Sequence, residues 1–137
     1  MLLYLALPYS HPDPTVREHR FRTACRASAL LMKSGVVVFS PISHSVPIVA
    51  HGDLGDTDHD FWMSMDLPVL RRCDEVLVLA LGGWTASLGV RRELFEALTL
   101  RKPITLIGEA DIERLPAIPK TARTYLTSNI FTEVYDA

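Results

Sequence analysis

The residues best suited to chemistry in this sequence stand near the start of one predicted helix. Glu93 follows Ser87 and Gly89 in a segment that begins where a predicted strand ends. A carboxylate at such a place is a candidate catalytic group, although an acid there also simply favours the helix macrodipole. Ser87 and Gly89 are open to two interpretations: a plain helix cap, or a site for an anion or a sugar hydroxyl at a helix N-terminus.

Other polar residues have simpler interpretations. Asp66 lies on a predicted helix, where a solvated face explains it, and Asp74 opens a predicted strand, where it can cap or form a turn. His51 and His59 flank an aspartate-rich stretch that could bind zinc, but a solvated loop is the simpler and favoured interpretation. The sequence has neither a P-loop nor a G-x-G-x-x-G fingerprint, so no nucleotide cofactor is predicted, and no metal.

Length and composition exclude several classes of protein. The chain has 137 residues, 48% hydrophobic and 22% charged, which predicts one globular domain over residues 1–137. A net charge of −2 disfavours binding to nucleic acid polymers and to anionic membranes. Cys25 and Cys73 form no disulfide or metal pattern and fit a reducing cytoplasm. The apolar N-terminal run is too short to cross a bilayer.

Apolar runs that alternate with helical patterns predict the elements that hold these residues. Runs at residues 2–7, 36–39, 75–81 and 104–107 are typical of strands covered on both faces. Helices are expected after an Asp13 cap, over residues 58–73 with Pro68 kinking or dividing it, and after Ser87. Residues 42–57 show no period and predict a long loop, and residues 130–135 a last strand.

This order predicts an α/β fold: a Rossmann-like (flavodoxin-like) parallel sheet of about five strands with helices on both faces. Such folds bind ligands at the carboxyl ends of their strands, which is where Ser87 and Gly89 are expected to lie.

Three segments resemble one enzyme superfamily. They are Tyr4-Leu5-Ala6-x-Pro8-Tyr9, Asp66-Leu67 ahead of Asp74, and Ser87-Leu88-Gly89-Val90-x-x-Glu93-Leu94-x-x-Ala97. They are similar to nucleoside 2-deoxyribosyltransferases and to 2'-deoxynucleoside 5'-monophosphate N-glycosidases, over roughly residues 2–10 and 62–107. Further details, such as Tyr9-Ser10-His11 and Gly83-Trp84, look like an uncharacterised bacterial branch of that superfamily.

The resemblance implies a role for each matching residue. Glu93 would be the nucleophile at C1' of a ribosyl or deoxyribosyl group, Asp66 would assist departure of the base, and Tyr4 would orient Glu93. The implied substrate-binding residues are Pro8, Tyr9, Ser10, His44, Trp84, Ser87 and Gly89, with Ser10 and Ser87 near the 5' end of the sugar and His44 near the base.

The expected function is therefore cleavage of the N-glycosidic bond of a nucleoside or nucleoside 5'-monophosphate, by hydrolysis or by deoxyribosyl transfer to a second base. One alternative is a non-catalytic nucleotide-binding or sensing domain on the same fold. Another is an interaction protein that docks a partner through Trp62 and Trp84. The resemblance also implies a homodimer or higher homo-oligomer, with residues 125–129 as the segment that completes a neighbouring site.

Overall fold

The computed structural model describes residues 1–55, 57–117 and 124–125. Their strands and helices, in chain order, are β1 (Leu2–Ala6), α1 (Pro14–Lys33), β2 (Val37–Phe39), α2 (Pro41–His51), α3 (His59–Arg72), β3 (Glu75–Ala80), α4 (Leu88–Thr99), β4 (Ile104–Gly108) and β5 (Thr124–Tyr125). Short 3₁₀ helices cover Trp84–Ala86 and Glu109–Ala117.

The strands form one sheet in the order β2-β1-β3-β4-β5. The first four are parallel, and the short β5 pairs antiparallel with β4 at the edge. This order is the flavodoxin-like one, in which the chain changes direction across the sheet between β1 and β3. The predicted fold class is confirmed, with the fifth strand antiparallel.

Alternation along β1 divides the core into two layers. Leu3 and Leu5 join the cluster that contains the buried residues of α1, whereas Tyr4 and Ala6 join the cluster that contains those of α3 and α4. Successive side chains of a strand point to opposite faces, and both faces are covered here. The phenol ring of Tyr4 is consequently placed on the same side of the sheet as α3 and α4.

Helix α1 begins as predicted. The Asp13 carboxylate accepts a hydrogen bond from the backbone N–H of Thr15 at 2.9 Å, and Pro14 occupies the first turn, where its missing N–H costs nothing. Gly35 has a φ of 84°, the left-handed conformation expected after a helix end. The buried face includes Arg20, whose role is described below.

The prediction of a long loop over residues 42–57 is wrong, because α2 occupies most of it. The Ser40 hydroxyl caps this helix by accepting from the N–H of Ser43 at 3.3 Å, and Pro41 stands in the first turn. Pro47 lies inside the helix and removes one backbone donor. With 11 residues and mostly exposed side chains, the helix shows too few buried positions for a period to emerge.

Of the two effects predicted for Pro68, division of the helix is wrong, because α3 continues through it to Arg72. Its Leu67 and Leu70 are buried against the sheet, and this packing outweighs the loss of one hydrogen bond. Asp74, just beyond the helix, binds the start of β1: its Oδ2 atom accepts from the N–H of Leu2 at 2.6 Å.

Two predicted features fall beyond the described residues. They are the last strand at residues 130–135 and all of the predicted oligomer-completing segment except Tyr125, which belongs to β5. In the part of the chain that the structure describes, no helix has the length and apolar character needed to cross a membrane.

Candidate active site

Three buried polar side chains meet on the α3–α4 side of the sheet. Tyr4 from β1 is 0% exposed, Asp66 from α3 is 8% exposed and Glu93 from α4 is 4% exposed. They are close enough for the charge of each carboxylate to act on the phenol. The structure thus brings together the three residues for which the sequence predicts catalytic roles.

Burial makes both carboxyl groups unusually weak acids. It raises the pKa of Glu93 to about 8; the nearby Tyr4 hydroxyl opposes this rise and the charge of Asp66 adds to it. Burial likewise raises the pKa of Asp66 to about 6. The pKa of Tyr4 is raised well above its ordinary value by burial and by the charge of Glu93.

Among the described residues, no cation pairs with any of these three groups. The Tyr4 hydroxyl lies close enough to Glu93 to interact with its carboxylate, but within the described chain it makes no hydrogen bond of ordinary geometry. Unpaired polar groups in a protein interior are costly and are concentrated where a ligand or a reaction uses them.

Ser87 and Gly89 lie close to Glu93 at the start of α4. The Ser87 hydroxyl caps the helix by accepting from the N–H of Val90 at 3.2 Å. A Cβ atom built on Gly89 would lie 3.8 Å from the Ser87 Oγ and 3.9 Å from the Glu93 Oε1. These are ordinary van der Waals distances, and the Cε atom of Met63 would be equally close at 3.9 Å. Gly89 therefore lies beside both Ser87 and Glu93, on the buried side of the helix start.

A cavity of about 270 Å³ opens between α2 and α3. Its lining is aromatic and aliphatic except for Asp66 and His44, and consists of Phe39, His44, Ile48, Leu54, Phe61, Trp62, Met65, Asp66 and Val69. The indole N–H of Trp62 is already engaged, since it donates to the Thr57 hydroxyl at 2.9 Å. Such a cavity suits a flat, largely apolar group that presents one polar edge towards Asp66.

The structure disperses the other predicted substrate-binding residues. Pro8 is buried, Tyr9 is half-buried and Ser10 is exposed on the segment after β1. Trp84 is half-buried and packs on the α3–α4 core layer, and neither it nor Glu93 is among the described residues that line the cavity.

The apolar walls of the cavity are residues that the sequence analysis missed. One signal could have found them, since Trp62 and Asp66 are four positions apart on one helix, as are His44 and Ile48 on another. Trp84 packs on the α3–α4 core layer and Trp62 lines the cavity, so neither is the fully exposed side chain that docking of a partner would use.

The metal alternative finds no support within the described ranges. There, no group of three histidine, cysteine or carboxylate side chains is close enough together to hold an ion.

Comparisons with known proteins agree with the fold. A family profile described as a domain of unknown function, DUF1937, matches residues 1–109. The structure of a 2-deoxyribosyltransferase from the psychrotolerant bacterium Bacillus psychrosaccharolyticus is similar, with a TM-score of 0.59 and 23% identity, over 79% of this chain and 72% of that chain. A search of curated proteins finds no match.

Proposed function

We propose that this chain, which belongs to the DUF1937 family, cleaves the N-glycosidic bond of a nucleoside or nucleoside 5'-monophosphate. Glu93 is the nucleophile, Asp66 is the acid that assists the leaving base, and Tyr4 orients Glu93. The observation that carries the proposal is the burial of two carboxyl groups beside a buried phenol, with no ion-pair partner for either carboxyl among the described residues. The fold shared with a 2-deoxyribosyltransferase supports the same chemistry.

The proposed pose uses the cavity and the α4 start together. The base occupies the apolar cavity, where Asp66 faces one of its nitrogen atoms and His44 lies at its rim. The sugar extends from Asp66 towards Glu93, and its 5' end lies near Ser87. Aromatic walls favour a flat heterocycle because they offer stacking contacts.

The reaction would run in two balanced steps. An oxygen of Glu93 bonds to C1' while the C1'–N bond breaks, and the base nitrogen takes both the bonding electrons and a proton from Asp66. Water, or a second base, then attacks C1'; its proton passes to Asp66, and Glu93 leaves as a carboxylate. The buried carboxylate stabilises the oxocarbenium-like transition state because little solvent screens it.

The pKa values of Asp66 and Glu93 determine how many protons the candidate site holds. Between the pKa values of about 6 and about 8, Asp66 and Glu93 hold one proton between them. The reaction needs that proton on Asp66, whereas the free protein holds it mainly on Glu93. Positive charge that develops on the sugar favours ionised Glu93 and so moves the proton towards Asp66 and the base.

A nucleotide-sensing domain is the second candidate. The observation that favours it is the position of Glu93, which lies outside the cavity lining of the described residues and is 4% exposed. A sensor would use the cavity to bind a base without turnover.

The test is release of free base from a panel of ribo- and deoxyribonucleosides and their 5'-monophosphates, followed by chromatography with and without a second base as acceptor. Glu93→Gln should lose activity by about 10³-fold or more because the amide cannot attack C1'. Glu96→Gln is the matched control, since Glu96 lies on the same helix and pairs with Arg71 at 2.6 Å. This control should keep activity within about threefold of the unchanged protein.

Full activity in the Glu93 variant would contradict the nucleophile assignment. If no substrate releases base while one of them binds, with equal affinity for the unchanged protein and the Glu93 variant, the sensor alternative is correct.

A further inference from the structure

Arg20 is a buried cation on α1, and the sequence analysis assigned it no role. Its side chain is 7% exposed. Within the described chain its three hydrogen bonds all go to backbone carbonyl oxygens: Nη1 donates to Tyr9 at 3.3 Å and Ser10 at 3.0 Å, and Nη2 donates to Gly82 at 2.7 Å. A charged side chain that donates hydrogen bonds to two loops fixes the position of one loop relative to the other.

The two loops held by Arg20 are the ones that flank the candidate site. One follows β1 and the other follows β3, and these strands are hydrogen-bonded neighbours. In this topology the carboxyl ends of β1 and β3 form the switch point at which ligands bind. Arg20 therefore bridges the mouth of the site from the α1 side of the sheet.

A short path of backbone contacts joins Arg20 to the start of α4. Gly83 takes a left-handed conformation with a φ of 83°, and a Cβ atom there would lie 3.2 Å from Arg20 Nη2. The 3₁₀ turn at Trp84–Ala86 begins at this glycine, and the N–H of Ser87 donates to the Trp84 carbonyl at 3.3 Å. The position of Gly82 and Gly83 thus determines where Ser87 begins the helix that carries Glu93.

We propose that Arg20 is a positioning residue: by holding the loops after β1 and β3 together it fixes Ser10 and Ser87 where they contact the 5' end of the sugar. Its effect on turnover rests on the proposed function, whereas its effect on the loops does not. The planar fork of the guanidinium is essential, since Nη1 serves one loop and Nη2 serves the other. A lysine ammonium retains the charge but cannot span both loops in this way.

The first experiment measures amide hydrogen exchange in Arg20→Lys and needs no substrate. Exchange of residues 9–11 and 81–87 should become about tenfold faster, because both loops lose their shared anchor. Arg72→Lys is the control, since Arg72 also donates to a carbonyl, that of Pro68 at 2.9 Å, but lies on the exposed face of α3. Gly83→Ala perturbs the same contact from the other side and should accelerate exchange in the same two segments.

The second experiment separates positioning from mere loss of folded protein. In Arg20→Lys, the KM for a substrate found in the panel should rise about tenfold or more while kcat changes by less than about threefold, because Glu93 is held by the packing of α4. Partial unfolding would instead lower kcat and leave KM unchanged, and that result would overturn the proposal.

Unchanged exchange in both loops would also overturn it, whether or not the protein turns over any substrate. A protein that releases no base from any substrate contradicts the proposed function, and the exchange measurement still decides whether Arg20 holds the loops.

Discussion

Two buried carboxyl groups, Glu93 and Asp66, have no ion-pair partner in the part of the chain that the structure describes. Burial disfavours their ionised forms, so Glu93 and Asp66 both retain protons to unusually high pH. Each group makes the folded state sensitive to pH in a range where ordinary carboxyl groups are fully ionised. The candidate site therefore has a signature that can be measured without any substrate.

That signature is a fall in stability as the pH rises. The pKa of Glu93 is 4.5 ordinarily and about 8 in the folded protein, so between these values the folded state binds more protons than the unfolded state. The free energy of unfolding must then decrease with increasing pH across that window. From about pH 5 to about pH 9, the free energy of unfolding should decrease in both proteins. We expect the decrease to be roughly 2–4 kcal/mol smaller in Glu93→Gln, which lacks the titrating carboxyl.

Denaturant unfolding at several pH values measures this difference. Glu96→Gln is the control: it retains Glu93, so its free energy of unfolding should depend on pH as that of the unchanged protein does. Parallel pH dependences for the unchanged protein and Glu93→Gln would mean that the Glu93 carboxyl is not held neutral by the fold.

The sequence predicts which carboxyl groups and which phenol form the candidate site, because the segments around Tyr4, Asp66 and Glu93 resemble a known superfamily. It does not predict their protonation, which depends on burial and on distances between groups far apart in the chain. Nor does it predict Arg20, because its hydrogen bonds go to carbonyl groups, which every residue carries.

Among the elements, α2 contributes most to the candidate site beyond what the sequence predicted. Its Pro47 and the Gly52 that follows it are typical of a loop, yet a serine cap and contacts with α1 are enough to keep it helical. It supplies His44 and Ile48 to the cavity. The first four strands were predictable as continuous apolar runs, and the other three helices because their buried positions recur with a regular period, which α2 lacks. The short β5 at Thr124–Tyr125 was not predicted.

A pair of neighbouring residues on α2 tests the cavity. Ile48 and Val49 are 38% and 39% exposed, but only Ile48 is among the described residues that line the cavity. Ile48→Phe should fill space that the base needs and weaken binding by about tenfold or more, whereas Val49→Phe should not. Quenching of Trp62 fluorescence by a titrated nucleoside measures both affinities.

Equal affinities in the two variants would place the ligand elsewhere. Because both residues are β-branched and similarly exposed, a general effect of phenylalanine on α2 would appear in both variants.

For the molecule as a whole, we propose a homodimer or higher homo-oligomer. Large apolar side chains are exposed next to the candidate site, with Leu88 and Phe95 on α4 at 64% and 46% and Met65 on α3 at 53%. Leu88 and Phe95 are two helical turns apart on one face of α4, and exposed apolar faces are typical of contact surfaces between proteins. A second copy that covers them would also shield the site from water.

Light scattering at micromolar concentration should therefore report at least a dimer. Phe95→Glu should shift the protein towards monomer because it places a charge in the contact, whereas Met32→Glu, on the exposed side of α1 at 58%, should not. A monomeric unchanged protein would refute the proposal.

The alternation along β1 has a consequence for how the chain can vary. Tyr4 pairs with Val76 in the register of two parallel strands, and its neighbours on either side, Leu3 and Leu5, belong to the opposite layer. A slip of a single residue would turn the phenol away from both acids and put a leucine in its place. The spacing inside the first strand must therefore be inherited unchanged or altered in steps of two.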